Sequence, residues 1–412
     1  MNGLAAQFSL LREMNARGPF AYLDNAATTQ KPDCVVQRLV EYYRSETANV
    51  QRGLYRLAID STNYFEEARS AIASFLGAKS STEIIFNSGA TAGLNQLAMG
   101  LEDQFGSGDV ILISELEHHA NFLPWQRLAK RTGAQLRLVP VLENGEFDIT
   151  CYEEILKSGG VKLVSLSLVS HVLGNILPLK EMFSLARNYG VTTTVCDATQ
   201  AISRAKIDVL DLGCDALVFS GHKAFAPSGI GVLYCRKETA QCMSPAFVGG
   251  GMVEQVTPTE MWLREIPSRF EAGTPAIEAA IALKTAIEFI ENLDLPKNHQ
   301  IEVSLIDHIA TELNKRGDCK LLGWAQQGGG LAPAHAGILS FTVNDVHAHD
   351  VAQLLADHGV AVRAGFHCAQ PLMTRLQLQG TIRVSLAPYN SREDGELLLQ
   401  SLSRLDQLRR TL

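Results

Sequence analysis

The sequence predicts an α/β fold with a mostly parallel sheet, followed by a smaller α+β domain. Apolar runs such as 110–114 and 216–219 alternate with segments of helical character. Strands that are apolar along their whole length are typical of a parallel sheet with helices on both faces. After a long helix at about 276–293, strands at 337–343 and 381–389 surround another helix and indicate the smaller domain.

Length and composition limit the classes of protein to consider. The chain has 412 residues, 46% hydrophobic and 19% charged, and a net charge of −8. It is long enough for a large core, and its charge argues against a nucleic-acid partner. No apolar run is long enough to span a membrane, and the N-terminus lacks the layout of a signal peptide, so we expect a cytoplasmic protein.

Cysteine and histidine spacing gives no sign of a metal site. The eight cysteines form no CxxC pair, which favours free thiols over disulfides or zinc. His347 and His349 have no further residues at ligand spacing, so we interpret them as a solvated helix start. The glycine-rich run 326–330 predicts a flexible loop that matches no phosphate motif.

The stretch Ser220–Lys223 carries the strongest chemical signal. A lysine where a buried strand meets a loop is unusual, because burying an ammonium group is costly. Such a lysine is either a solvated loop residue or one that forms a Schiff base with a carbonyl cofactor. Asp197, at the end of another strand, favours the second interpretation. An aspartate can keep a pyridinium nitrogen protonated while the lysine holds the aldehyde of pyridoxal phosphate.

Other polar residues are predicted at the same edge of the sheet. Thr91 follows a strand–turn–helix junction at 83–100, which suits a phosphate but is also common in ordinary α/β units. His118 and His171 follow two further strands, and His118 could stack on a flat cofactor. Because the carboxyl ends of parallel strands meet at one edge, these residues are expected to converge.

The stretch 363–373 is the most informative part of the smaller domain. Cys368 lies in a loop beside His367 and near Arg363, where positive charge would lower its pKa and favour a nucleophilic thiolate. The alternative is an incidental loop cysteine. Arg383, on the next strand, is either a partner for a substrate carboxylate or part of a surface ion pair.

Six motifs together resemble those of one enzyme family. They are YLDNAATTQKP, SGAT, EHHANFLPWQ, SGHKAFAPSGIGVLY, RFEAGTP and RAGFHCAQPLM. The chain resembles group II cysteine desulfurases of the SufS-like and CsdA-like kind, in the class V aminotransferase family of fold-type I pyridoxal phosphate enzymes. The resemblance implies a seven-stranded sheet in a large domain at 21–290. It also implies a small domain made of 1–20 and 291–412 that carries the cysteine loop.

The resemblance also implies roles for individual residues. Lys223 would be the Schiff-base lysine, Cys368 the sulfur acceptor, and His118 the ring that stacks on the cofactor and moves protons. Further cofactor contacts would be Ala90, Thr91, His171, Asp197, Gln200, Ser220, His222 and, from the other subunit of a homodimer, Thr274. Arg383 would bind the substrate carboxylate, with Asn175 and Arg363 as further contacts.

The implied reaction converts L-cysteine to L-alanine, with a persulfide on Cys368 that passes to an acceptor protein of the SufE or CsdE type for iron–sulfur cluster assembly. Selenocysteine lyase, cysteine sulfinate desulfinase and aminotransferase activities are alternatives, since Lys223 and Asp197 would serve them equally. A low-activity paralogue acting as a binding partner is another. It is motivated by His171 and Ala92, where the family commonly has asparagine and an acidic residue. Gln51 is a further departure, at a position where histidine is common.

Overall fold

A computed structural model describes residues 3–325, 330–331 and 335–411. The predicted loop at 326–330 therefore lies almost entirely outside the described residues. In chain order the helices are α1 (Ser9–Arg17), α2 (Asp33–Glu41), α3 (Arg56–Phe75), α4 (Ala90–Gly100), α5 (Leu123–Thr132), α6 (Ile149–Lys157), α7 (Leu179–Asn188), α8 (Val209–Leu212), α9 (Lys237–Gln241), α10 (Ile277–Glu291), α11 (Leu295–Lys315), α12 (Ala348–Asp357), α13 (Gln370–Arg375) and α14 (Arg392–Thr411).

The strands are mostly short, and four of them have only two residues. In chain order they are β1 (Ala21–Tyr22), β2 (Ile84–Asn87), β3 (Val110–Ser114), β4 (Gln135–Val139), β5 (Val161–Ser167), β6 (Thr193–Asp197), β7 (Ala216–Ser220), β8 (Gly231–Cys235), β9 (Val253–Val256), β10 (Met261–Leu263), β11 (Cys319–Leu322), β12 (Trp324–Ala325), β13 (Gly330–Leu331), β14 (Ile338–Val343), β15 (Val360–Ala361), β16 (Arg363–Gly365) and β17 (Thr381–Ser385).

The large sheet has seven strands in the order β2-β8-β7-β6-β5-β3-β4. Strand β8 runs antiparallel to both of its neighbours, and the other pairs are parallel. The predicted seven-stranded, mostly parallel sheet is therefore confirmed. Ser167 pairs with Asp197, and Asp197 pairs with Val218, so the carboxyl ends of β5, β6 and β7 lie side by side.

Both faces of this sheet are buried, which explains why its strands are apolar throughout. Leu217 and Phe219 belong to one hydrophobic cluster, whereas Val218 between them belongs to another. Likewise, Ile111 and Leu112 belong to different clusters, one on each face of the sheet. Successive side chains of a strand point to opposite faces, so a core on each face requires an apolar residue at every position.

A four-stranded antiparallel sheet, in the order β11-β14-β17-β16, forms the centre of the smaller unit. Helices α11 and α12 pack on this sheet, and α14 packs on both helices, around a third hydrophobic cluster that includes Phe341 and Ile382. Arg383 lies on β17, and the cysteine loop follows β16. The sheet therefore fixes the two elements that carry the predicted sulfur acceptor and carboxylate-binding residue.

The N-terminal segment contacts both units. Phe8 packs on Phe225 and Phe289 of the large unit, with ring centroids 6.1 and 5.8 Å away, and on Tyr389 at 4.7 Å. Strand β1 instead pairs with β15, and Ala21 belongs to the cluster of the smaller unit. The division at residue 20/21 stays a prediction, and the packing on either side of it joins the two units.

Within residues 3–325, 330–331 and 335–411, none of the helices combines the length and the apolar character needed to cross a bilayer. Within the same ranges, histidine, cysteine and acidic residues do not gather into a group able to hold a metal ion.

Candidate active site

A cavity of about 320 Å³ opens at the carboxyl edge of the large sheet, between the two units. It is lined by every residue predicted for the site except Asn175 and Thr274. These residues are Ala90, Thr91, His118, His171, Asp197, Gln200, Ser220, His222, Lys223, Arg363, Cys368 and Arg383. The sheet topology therefore brings together residues from most of the length of the chain.

Lys223 ends a short 3₁₀ turn, Gly221–Lys223, that begins where β7 stops. Gly221 donates its N–H to the carbonyl of Ile230 at 2.9 Å, which turns the chain back toward β8. Burial and the positive charge of Arg383 lower the pKa of Lys223 to about 8, against an opposing contribution from Asp197. A substantial neutral fraction of the amine is therefore present near pH 8, as Schiff-base chemistry requires.

Asp197 ends β6 and is buried. Its Oδ1 accepts a hydrogen bond of 2.9 Å from the backbone N–H of Thr199. Burial raises the pKa of this carboxyl, and the bond from the Thr199 N–H and the charge of Lys223 act in the opposite direction. The hydroxyl of Thr199 is itself buried, lines the cavity and has no hydrogen-bond partner among the described residues.

One end of the cavity has the features of an anion site. The N-terminus of α4 points there, and the N–H of Ala90 donates to Ser220 Oγ at 2.8 Å. Gly89 precedes the helix with φ of 140°, and a Cβ atom on it would lie 3.2 Å from Ser220 Oγ. Backbone close to a hydroxyl at a helix start suits a phosphate group. Thr91 and His222 line the same cavity.

His118 and His171 contact each other edge to face, with ring centroids 4.8 Å apart and an interplanar angle of 72°. Burial, followed by the charge of Lys223, lowers the pKa of His118 to about 3. His118 Nδ1 accepts the N–H of Ala120 at 3.0 Å, so the proton of this neutral ring is on Nε2. Burial also lowers the pKa of His171 well below its usual value.

The cysteine loop has an unusual backbone. His367 and Cys368 have φ of 52° and 57°, in the left-handed region that non-glycine residues rarely adopt. The carbonyl of Cys368 accepts the N–H of His119 at 2.9 Å, and the ring of His367 bonds Thr381 Oγ1 at 2.8 Å. These bonds hold an exposed thiol in a strained loop at the edge of the cavity.

Arg383 is buried on β17, and its surroundings contain an acidic residue that the sequence did not indicate. Its Nη1 donates to the carbonyl of His171 at 2.9 Å, and its Nη2 lies 3.4 Å from Asp24 Oδ1. Arg363 pairs with the same carboxylate at 2.9 Å. Burial lowers the pKa of Arg383 to about 10, so the guanidinium remains charged at neutral pH. Its buried Nε has no partner among the described residues.

A second unpredicted feature lies beneath His118. The buried carboxylate of Glu117 accepts hydrogen bonds from Ser114 Oγ at 2.6 Å, Ser167 Oγ at 2.5 Å and Asn121 Nδ2 at 2.7 Å. Burial raises its pKa to about 7. This network ties β3, β5 and the His118 turn together. No sequence signal could have found it, because a lone Glu before two histidines has many ordinary explanations.

Asn175 and Thr274 lie elsewhere. Asn175 was expected near the substrate, but it is buried in an antiparallel bridge with His335. Gly174, with φ of +76°, precedes Asn175, which does not border this cavity, so its contact with the substrate stays a prediction. Thr274 borders a second cavity of about 320 Å³, beside Phe247 and Phe270.

Residues 21–398 match the family described as Aminotransferase class-V, and the chain therefore belongs to this family. Members of the family depend on pyridoxal phosphate in general.

Among relatives, a probable cysteine desulfurase of Vibrio cholerae is 38% identical, with 98% of each chain covered. Two solved structures are also similar. A cysteine desulfurase from Thermococcus onnurineus NA1 in its apo form has a TM-score of 0.91 and 37% identity, covering 98% of this chain and 97% of that one. The cysteine desulfurase CsdA from Escherichia coli has a TM-score of 0.88 and 32% identity, covering 98% of each chain.

The residues of the cavity fit this cofactor. Lys223 supplies an amine of lowered pKa for an aldehyde, and Asp197 supplies a buried carboxyl group for a ring nitrogen. The start of α4 borders the same cavity, and a helix N-terminus suits a phosphate group. The unpartnered hydroxyl of Thr199 lies in the same space. A buried polar atom without a partner is costly, so its position supports a polar ligand there.

Proposed function

We propose that this protein is a pyridoxal phosphate-dependent cysteine desulfurase that converts L-cysteine to L-alanine and takes up the sulfur as a persulfide on Cys368. The observation that carries the proposal is the presence of the Cys368 thiol in the cavity that also contains Lys223 and Arg383. An amine for the cofactor, a guanidinium for the substrate carboxylate and a sulfur nucleophile are the groups that this reaction needs. The names of the relatives support the same activity.

Three groups of residues would hold the cofactor. Lys223 would bind its aldehyde carbon, and Asp197 would keep its ring nitrogen protonated. The phosphate would lie at the start of α4, near Thr91, Ser220 and His222. When bound, pyridoxal phosphate withdraws electrons from the substrate, so that the Cα proton can leave and the Cβ–Sγ bond is weakened.

The protein's own groups would perform the remaining steps. Arg383 binds the substrate carboxylate through a guanidinium group that Asp24 helps to orient. Lys223 Nζ would accept the proton that leaves Cα. The neutral ring of His118 carries its proton on Nε2, and this nitrogen moves a proton at the substrate.

Sulfur transfer balances without another reactant. The Cys368 thiolate attacks the substrate Sγ, so an S–S bond forms while the Cβ–Sγ bond breaks and its electron pair goes to Cβ. Protonation of Cβ and the return to Cα of the proton accepted by Lys223 then complete L-alanine. The products are alanine and a Cys368 persulfide, which together contain all the atoms of cysteine and the original thiol.

We further infer a homodimer in which Thr274 serves the site of the other subunit. Its neighbourhood is rich in exposed apolar side chains: Leu54 is 93% exposed, Phe247 63% and Val248 65%. Thr274 lies with Arg52 around one cavity and with Phe247 around another, so these segments adjoin. Apolar surface of this extent is typical of an interface. Sedimentation velocity should give twice the mass of one chain, and a monomer with full cofactor content would contradict this arrangement.

The sulfur acceptor is proposed to be a protein of the SufE or CsdE type. Cys368 is exposed, and the adjacent Phe366 is 41% exposed, which supports access by a partner protein. Adding such an acceptor should increase sulfide and alanine formation from L-cysteine. If no acceptor of this type increased the rate, the proposal would be limited to the formation of alanine and the Cys368 persulfide.

The decisive experiment measures alanine and persulfide formation by the purified protein with L-cysteine. Cys368→Ala should abolish sulfur release from L-cysteine while leaving release of selenium from L-selenocysteine, which does not need a thiol acceptor. Cys242→Ala, at another exposed free cysteine, is the matched control and should keep full activity. A protein that binds no pyridoxal phosphate would refute both enzymatic interpretations. Full activity of Cys368→Ala on L-cysteine would remove the thiol from the mechanism.

A further inference from the structure

The loop that follows β5 is attached to the smaller unit through four consecutive carbonyl groups. Arg383 Nη1 donates to the carbonyl of residue 171 at 2.9 Å, and Ser340 Oγ donates to that of residue 172 at 2.7 Å. The ring of His335 bonds the carbonyl of residue 173 at 2.9 Å, and the N–H of Ala336 bonds that of residue 174 at 2.9 Å. We call residues 171–174 the docking loop.

The side chain of His171 makes a fifth connection, to the cysteine loop. Its Nε2 lies 2.8 Å from the carbonyl oxygen of His367. A carbonyl can only accept, so Nε2 carries the proton of the ring. Burial, with the charges of His118 and Arg383, lowers the pKa of His171 well below its usual value, so the ring is neutral. Its single N–H is therefore directed at the cysteine loop and is not available to a cofactor.

The bond from His171 acts at a strained position. His367 and Cys368 have φ of 52° and 57°, and such conformations persist only where surrounding contacts impose them. The carbonyl of His367 is held by His171, and the next carbonyl is held by the N–H of His119. Both contacts come from the large unit, at the ends of neighbouring strands.

We propose that His171 is a positioning residue for sulfur transfer: its ring fixes the Cys368 loop while its carbonyl holds Arg383. His171 would thus hold the sulfur nucleophile and the carboxylate-binding guanidinium at fixed positions relative to each other above the cavity. This inference rests on the proposed cysteine desulfurase activity. The side chain of His171 then acts on the loop that carries Cys368 and does not contact the cofactor.

The test compares His171→Leu, which removes the N–H, with His171→Gln, whose amide N–H has a similar reach. In the holoenzyme, His171→Leu should lower kcat for L-cysteine about 10- to 100-fold, the loss expected from misplacing a reacting group by about 1 Å. KM should change little, because the backbone carbonyl that holds Arg383 remains. His171→Gln should restore most of the rate.

Two readouts separate positioning from a structural or cofactor effect. Release of selenium from L-selenocysteine, which does not use Cys368, should fall much less than cysteine turnover in His171→Leu. The visible absorption of the bound cofactor should be unchanged. Equal losses on the two substrates, an altered absorption spectrum, or an unchanged kcat for L-cysteine would each overturn the inference.

A further measurement keeps the inference distinct from the proposed function. The rate at which iodoacetamide alkylates Cys368, followed by mass spectrometry, should change in His171→Leu and return toward the original value in His171→Gln. An unchanged rate would contradict the role of His171 even if the enzyme were inactive. Absence of alanine formation by the unsubstituted protein would instead refute the desulfurase proposal.

Discussion

Replacing Lys223 by methionine is expected to stabilise the cofactor-free protein. Burial and the nearby Arg383 guanidinium lower the pKa of this lysine from 10.5 to about 8. A lowered lysine pKa means that the folded state disfavours the ammonium form relative to the unfolded state. Methionine has a similar length and no charge, so the substitution removes this cost without opening a large void.

The size and sign of the effect follow from the two pKa values. The difference between 10.5 and about 8 corresponds to roughly 3 kcal/mol. The side chain still borders the cavity, where water weakens the effect, so we expect about 1–3 kcal/mol. The free-energy cost of burying the charged Lys223 ammonium group is fully present below pH 8. It declines as the pH rises from about 8 to 10.5, because the folded protein then releases the proton at no cost.

Urea unfolding of the cofactor-free protein at pH 7 and pH 10 measures this difference in the free energy of unfolding. Lys223→Met should have the higher midpoint at pH 7, and its advantage over the unsubstituted protein should shrink at pH 10. Lys320→Met, at an exposed position of β11, is the control and should show no such dependence on pH. A Lys223→Met variant that is less stable at pH 7, or whose advantage does not depend on pH, would refute the reasoning.

Three further substitutions test the packing around the site. Arg204→Met should destabilise the protein by about 3–5 kcal/mol in urea, since it leaves the buried Glu302 without its cation; a loss under 1 kcal/mol would contradict this. Phe8→Ala should lower stability by about 3–5 kcal/mol, measured by calorimetry, and an unchanged melting temperature would show that α1 does not contribute. Gly174→Ala, at φ of +76° and with its Cβ 2.5 Å from the His335 ring, should cost about 2 kcal/mol or more and raise KM for L-cysteine. An unchanged KM would show that the docking loop does not contribute to substrate binding.

The sheet and the residues at its edge could be predicted because both depend on local pattern. Apolar runs such as 216–219 identify strands buried on two faces, and the carboxyl ends of parallel strands meet. Asp197 and Lys223 were therefore placed at one edge from the sequence alone, and the structure has them there. The strand predicted at 337–343 spans Ile338–Val343.

The rest of the site depends on contacts between distant segments. Asp24 binds Arg363 and Arg383, more than three hundred residues away, and nothing near Asp24 in the sequence indicates this. The left-handed backbone at Cys368 was unpredictable as well, because that conformation is usually marked by glycine. Asn175 pairs with His335 of a distant segment, a contact that local pattern does not indicate.

The arrangement of contacts has a consequence for motion between the two units. The groups proposed to hold the cofactor, including Lys223 and Asp197, lie on the large sheet, whereas Arg383 and Cys368 lie on the smaller unit. The docking loop leaves β5 of the large unit and is bonded to the smaller unit at each carbonyl, so it joins the two units. A rotation of the smaller unit would carry the nucleophile and the carboxylate-binding group together. The geometry between Arg383 and the thiol would thereby be preserved, which is what transfer of sulfur from a substrate held by its carboxylate requires.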